Sequence, residues 1–82
     1  MSTVRIDGRD YLLVVGSSGE PDGMFLECTL QSDGTKVLIE VFYSDEDGSL
    51  TIQTSGAKLP LALVKHVIAE AERRLPPASS AQ

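Results

Sequence analysis

Glycine-containing turn sequences divide the first 54 residues into short runs rich in Val, Ile, Leu, Phe and Tyr. The turn signals are Asp7-Gly8, the segment 16–23, Asp33-Gly34 and Asp47-Gly48. Asp-Gly between apolar runs is a strong hairpin signal, because both residues tolerate the positive φ of a type I′ turn. The pattern predicts an antiparallel meander with strands near residues 3–6, 10–16, 23–31, 35–44 and 49–54.

Apolar pairing selects a register for the middle hairpin. If Asp33-Gly34 is a two-residue type I′ turn, Ser32 faces Thr35 and largely apolar pairs follow. A slip by one residue would move half of these side chains to the opposite face, so this register is favoured. The predicted pairs are Leu30–Val37, Cys28–Ile39, Leu26–Val41 and Met24–Tyr43.

The flanking hairpins follow the same logic. A turn at Asp7-Gly8 places Arg5 beside Asp10 and Val4 beside Tyr11. A four-residue loop at 45–48 sets Tyr43 against Leu50 and Val41 against Ile52, whereas a two-residue turn at Asp47-Gly48 keeps the same parity with other partners. In either case the apolar residues of the last strand lie on the same face as those of the middle hairpin.

After Thr54 the apolar period changes to that of an amphipathic helix over residues 60–75. Pro60 suits the first helical turn, and Pro76-Pro77 ends the helix. We therefore expect one domain, residues 1–75, and a flexible C-terminal tail, residues 76–82. The predicted apolar stripe contains Leu61, Val64, Val67, Ile68, Ala71 and Leu75.

The helix stripe and one face of the sheet each need an apolar partner. The predicted fold is therefore α+β, an antiparallel β-meander of four to five strands with one C-terminal helix packed on one face, in a two-layer sandwich. A helix of about 16 residues is roughly 24 Å long and screens only one side of the sheet. The opposite side is left open.

The open side of the middle hairpin is the candidate site. The register pairs Phe25 with Phe42 and Glu27 with Glu40, and it pairs Thr29 with Leu38. An aromatic pair contributes about 0.5 to 1.5 kcal/mol, whereas directly opposed carboxylates cost up to about 1 kcal/mol. Folding alone does not require the carboxylate pair. The alternative is a merely solvated sheet surface from which the two acids splay into water. The predicted partner-binding residues are Phe25, Glu27, Leu38, Glu40 and Phe42.

No catalytic, cofactor or metal site is predicted, and we expect no enzyme activity. Cys28 belongs to the core face, where a thiol stays protonated, and His66, the single histidine, falls on the polar side of the helix without a catalytic partner. The acidic turn 45–48 lacks the spacing of a calcium loop. The glycine-rich segment 16–23 lacks the spacing of a phosphate-binding loop and is expected to be the most mobile loop.

Composition narrows the class of partner. The net charge is −5 and the seven basic residues are dispersed except at Arg73-Arg74, which disfavours direct binding of nucleic acid. No apolar run approaches the roughly 20 residues that span a bilayer. A single cysteine and an N-terminus without an export signal indicate the cytoplasm.

The sequence therefore predicts a small acidic protein-interaction module, an adaptor, inhibitor or immunity-like protein whose partner is another protein with a basic surface. In size and charge it is similar to bacterial immunity proteins and phage-encoded inhibitors. The alternatives are a homo-oligomeric structural domain and, third, a small metal- or ligand-binding protein. A homodimer is possible, but opposed acids disfavour one formed through the open side, which leaves the helix flank or an edge strand.

Overall fold

The computed structural model describes residues 1–75, in one antiparallel sheet followed by one helix. The strands follow chain order across the sheet, β1-β2-β3-β4-β5. This confirms the predicted meander with one C-terminal helix; the predicted tail, residues 76–82, lies outside the described residues. The elements are β1 (Ser2–Ile6), β2 (Arg9–Gly19), β3 (Asp22–Leu30), β4 (Asp33–Ser44), β5 (Leu50–Thr54) and α1 (Leu61–Arg74).

The outer hairpins form as predicted. Asp7 and Gly8 have φ of 52° and 79°, the positive values that a type I′ turn requires. Val4 pairs with Tyr11 and Arg5 with Asp10. At the other end a four-residue loop, 45–48, sets Tyr43 against Leu50 and Val41 against Ile52.

The prediction of a mobile loop at 16–23 is wrong. β2 and β3 remain paired up to Gly19 and Asp22, so only Glu20 and Pro21, joined by a cis peptide bond, form the turn. Gly16 is a strand residue with an aromatic side chain lying over it: a Cβ there would come within 2.6 Å of the Phe25 ring. This glycine makes room for a ring and does not form a turn.

The predicted turn at Asp33-Gly34 is also wrong. Leu30 pairs with Asp33, so the turn is Gln31-Ser32. Gly34 does not have the positive φ that a type I′ turn needs. Asp33 instead organises the start of β4, because its Oδ1 accepts hydrogen bonds from the backbone N–H (3.2 Å) and hydroxyl (2.6 Å) of Thr35. These bonds lower the pKa of Asp33.

A β-bulge separates the correct from the incorrect part of the predicted register. Cys28 pairs with Ile39 as expected, but Thr29 pairs with Val37 and not with Leu38. Leu38 is the extra residue, and the bulge turns it into the core, where it is 8% exposed. The prediction that Leu38 belongs to the open side is therefore wrong, and Val37 takes its place beside Thr29.

The core lies between the sheet and α1, which runs closest to β4. Leu13, Leu26 and Ile39 are fully buried from the sheet side. On the helix the buried side chains recur every four residues, at Leu63, Val67, Ala71 and Leu75. Within residues 1–75 no helix is both long and apolar enough to cross a membrane.

The predicted helix stripe is rotated from the observed one. Leu61 and Ile68, both expected in the core, are exposed, and Leu63 takes the central place. Because α1 lies nearest β4, the flank that carries Ile68 borders β5, the last strand of the sheet. The core-side residues of that strand, Leu50 and Ile52, are left uncovered.

Candidate interaction face

The surface opposite α1 consists of rows of side chains that cross several strands. Directly paired residues of adjacent strands project to the same side, so the register defines each row. We call this surface the open face. Its three central rows are Gly16–Phe25–Phe42–Thr51, Val14–Glu27–Glu40–Gln53 and Thr3–Leu12–Thr29–Val37.

Backbone hydrogen bonds show which kind of pair the central residues make. The Ser44 amide donates to the Ser49 carbonyl (3.0 Å) across β4–β5, and the Asp45 amide donates to the Asp22 carbonyl (3.1 Å) toward β3. Even-numbered residues of β4 therefore bond to β5 and odd-numbered ones to β3. Phe42 and Glu40 consequently face β3 in non-hydrogen-bonded pairs, in which Cα atoms are about 4.5 Å apart and side chains come closest.

The two phenylalanines are held in place by glycines. The Phe25 ring lies over Gly16, and the Phe42 ring leans diagonally over Gly23, where a Cβ would come within 2.6 Å of the ring. Both rings are half-buried although no second layer covers them. Covering a glycine on a neighbouring strand fixes the ring and compensates for the missing side chain. Phe25 and Phe42 thus form a rigid apolar platform, which confirms their predicted pairing.

The carboxylate pair beside this platform has no counter-charge in the described chain. Glu27 and Glu40 are directly paired and half-buried. The ion pairs among residues 1–75 join Arg5 to Asp10 and Glu70 to Arg73 and Arg74, and no side-chain hydrogen bond reaches either member of the pair. Their row ends in the uncharged Val14 and Gln53. This row therefore concentrates negative charge at the centre of the sheet.

Basic side chains lie away from this centre. Arg5 is on the open face but at the β1 edge, where it pairs with Asp10 at 3.1 Å. The predicted register would place Lys36 on the same side as Glu40, but Lys36 lines a depression on the helix side with Lys58 and Leu59. The bulge changes the side to which the start of β4 projects, which accounts for this difference.

The open face also has a rim that the sequence interpretation missed. A shallow depression contains the platform and the carboxylate pair, and Pro21, Thr51 and Gln53 border it. The sequence does not indicate Pro21, because the glycine-rich segment 16–23 has the composition of a loop although its ends continue the hairpin. A shallow apolar floor with two adjacent carboxylates suits a cationic group that carries apolar or planar surface.

The other reactive side chains do not form a second site. Cys28 is fully buried, and burial raises its pKa to about 11, so the thiol is not activated. Asp47 accepts a hydrogen bond from the Ser49 amide (3.0 Å) within its turn, which lowers its pKa. His66 lies on the half-buried flank of α1 near Glu70. No three metal-ligating side chains converge in the part of the chain that the structure describes.

No protein-family model, curated protein or solved structure matches the chain. Function therefore has to be inferred from the geometry of the open face, because an antiparallel sheet with one helix serves many unrelated functions.

Proposed function

We propose that this protein is a small acidic interaction module that binds another protein through the open face. It acts in the cytoplasm as an adaptor or inhibitor, by occupying its partner's surface, and catalyses no reaction. The observation that carries the proposal is the Glu27–Glu40 pair, two carboxylates held side by side without a counter-ion next to a fixed aromatic platform.

The pair is costly in the free protein and favourable in a complex. Directly opposed like charges on a sheet destabilise it by up to about 1 kcal/mol. An arginine or lysine from a partner removes this repulsion and gains charge-assisted hydrogen bonds to both carboxylates. The two carboxylates therefore destabilise the free protein and stabilise the complex, as expected of residues that serve recognition.

The neighbouring platform favours arginine over lysine as the central group of the partner. A guanidinium is planar, forms bidentate bonds with carboxylates and stacks on aromatic faces. Phe25 and Phe42 border the carboxylate pair in the adjacent row, so one arginine can contact a ring and a carboxylate together. The rigid rings act as anchors, while the acids set orientation and accelerate encounter with a basic surface.

Neutral isosteres of the acids give the sharpest test. The phenylalanines cover glycines, so replacing them disturbs the fold, whereas Glu27→Gln with Glu40→Gln keeps side-chain shape. The control is Asp45→Asn with Glu46→Gln, which removes the same charge from the exposed 45–48 loop. Each protein is used to capture partners from its source cell, and a purified partner is then titrated against the ¹⁵N-labelled domain.

The expected result is a partner that is lost with the open-face variant and retained with the loop variant. Its binding should weaken at least about tenfold in the open-face variant, weaken with rising salt, and shift the amides around residues 25–27 and 40–42. Equal capture by all three proteins, or amide shifts confined to another surface, would contradict the proposal.

A further inference from the structure

Within residues 1–75, the outer edge of β5 has backbone groups that pair with no other strand. Toward β4, the Ser44 amide donates to Ser49 and the Ser55 amide donates to Leu38, both at 3.0 Å. Residues alternate along an antiparallel ladder, so 49, 51, 53 and 55 bond inward. The N–H and C=O groups of Leu50, Ile52 and Thr54 therefore point away from the sheet.

As far as the structure describes the chain, this edge lacks the features that usually block strand addition. Strands at sheet edges are protected by charged side chains, proline, bulges or a covering segment. The sequence of β5, Leu-Thr-Ile-Gln-Thr, contains no charge and no proline, its pairing with β4 is regular, and all five residues are exposed. The opposite edge, β1, carries Arg5. β5 is the edge that is open to another strand.

An apolar groove runs along the same edge on the helix side. Leu50 and Ile52 are 41% and 49% exposed, and Ile68 of α1 is 42% exposed beside them. Together with Val41, Ala71, Thr51 and Glu72 they line a mainly apolar depression of about 160 Å³. The free backbone groups and the uncovered apolar side chains thus belong to one continuous surface.

We propose that this surface joins two copies of the chain, with β5 pairing antiparallel to β5 of the second copy about a two-fold axis at Ile52. The outward groups of Ile52 meet those of its counterpart, and Leu50 meets Thr54 on either side. Three hydrogen-bonded residue pairs form, and each exchanges two N–H···O bonds. The product is one continuous ten-stranded sheet, in which Ile52, Leu50 and Ile68 of both copies cover one another.

Self-complementarity identifies a second copy as the occupant. Leu50, Ile52 and Thr54 are spaced evenly about their centre, so the two-fold axis satisfies every outward backbone group. On α1, Lys65 and Glu72 are exposed on the flank that carries Ile68, three residues before it and four after it. A two-fold axis near Ile68 runs the helices antiparallel and brings Lys65 of each copy toward Glu72 of the other. In this arrangement the two opposite charges face each other twice across the interface.

The proposed interface is small, so the affinity between the two copies is expected to be low. A standard stable interface uses about 800 Å² and 20 to 30 residues from each partner. Five strand residues and one helix flank provide fewer, so the dimer is expected to be weak and reversible. Both open faces lie on the side of the joined sheet away from the helices, so dimerisation would display two of them together.

Sedimentation velocity of the full chain from ~5 μM to ~1 mM tests the dimer. We expect a concentration-dependent monomer–dimer equilibrium whose Kd rises at least about tenfold in Ile52→Lys. The matched control is Thr3→Lys, which adds the same charge to an exposed position of β1, the opposite edge strand. Because both residues are exposed, thermal melting should confirm that each variant is folded.

A charge exchange tests the geometry independently. Lys65→Glu and Glu72→Lys should each weaken the dimer, and the double variant should restore it, because the exchange regenerates both cross-copy pairs. Hydrogen exchange should protect the amides of Leu50, Ile52 and Thr54 as concentration rises.

A chain that stays monomeric at ~1 mM would overturn the proposal, even if β5 accepted a strand from a different protein. So would a dimer that Thr3→Lys disrupts and Ile52→Lys does not. Glu27→Gln with Glu40→Gln leaves β5 unchanged, so failure of the dimer and failure of the open-face proposal are separate results.

Discussion

Neutralising one member of the carboxylate pair should stabilise the protein. Glu27 and Glu40 occupy a non-hydrogen-bonded pair, in which side chains approach most closely. Two unit charges about 5 Å apart in water repel by close to 1 kcal/mol, and like charges directly opposed across strands cost up to about that amount. Glu40→Gln should therefore raise the free energy of unfolding by about 0.5 to 1 kcal/mol, and Tm by about 2 to 8 °C for a domain of this size.

Thermal melting at pH 7 and low salt measures this gain, and a double-mutant cycle assigns it to the pair. Glu27→Gln should give a similar increase, and the double variant should gain no more than either single one, because only one repulsion exists to remove. Glu46→Gln, which removes the same net charge from a loop, corrects for the charge of the whole protein. The gain should shrink strongly near 1 M salt, where the Debye length is about 3 Å. Additive gains, or none, would refute the assigned geometry.

Three further predictions concern folding. Gly16→Ala should cost about 1 to 3 kcal/mol, because the new Cβ would meet the phenyl ring above it at 2.6 Å, whereas Gly19→Ala, with nothing within 4 Å, should be nearly neutral in the same urea titration. Leu38→Ala removes a core side chain and should lower the free energy of unfolding by about 2 kcal/mol or more, whereas Val37→Ala should lower it clearly less. A larger loss for Val37→Ala would contradict the position of the bulge. The Cys28 thiol should resist alkylation until the protein unfolds. The pKa of Cys28 in the folded protein, about 11, exceeds its ordinary value of 9.0. The stability that the protonated thiol contributes is therefore complete below pH 9.0 and falls as pH rises toward about 11. Cys28→Ala should not show this loss of stability with pH.

The Asp-Gly sequences show what local pattern can predict. Asp7-Gly8 and the loop ending at Asp47-Gly48 form turns where expected, because neighbouring strands pair in a register that suits both. Asp33-Gly34 does not, because packing of Leu38 in the core on the helix side favours a different register there. With the turn at Gln31-Ser32 and a bulge in β4, Leu38 reaches the core beside Tyr11. The pairing pattern of β3 and β4 alone predicts Phe25–Phe42 and Glu27–Glu40 correctly. It does not predict the bulge, because the bulge depends on packing against the helix side.

The helix illustrates the same limit. Periodicity located α1 within one residue at each end, since Pro60 and the apolar spacing are local signals. It did not fix which flank is buried, because Leu61 and Ile68 are as apolar as Leu63. Rotation about the helix axis depends on where the helix sits across the sheet, and α1 lies nearest β4. The exposed flank at β5, and the dimer surface inferred from it, could be identified only from three-dimensional placement.

Chain order across the sheet also governs how the protein is made. Each strand pairs only with its neighbours in sequence, so every hairpin can close as soon as its second strand is synthesised, which favours rapid folding for an all-antiparallel sheet. The helix comes after all five strands, however, and it covers Leu13, Leu26 and Ile39. On the ribosome the nascent sheet therefore has an exposed apolar side until α1 emerges from the exit tunnel. During this interval the chain is most prone to aggregate and most in need of a chaperone.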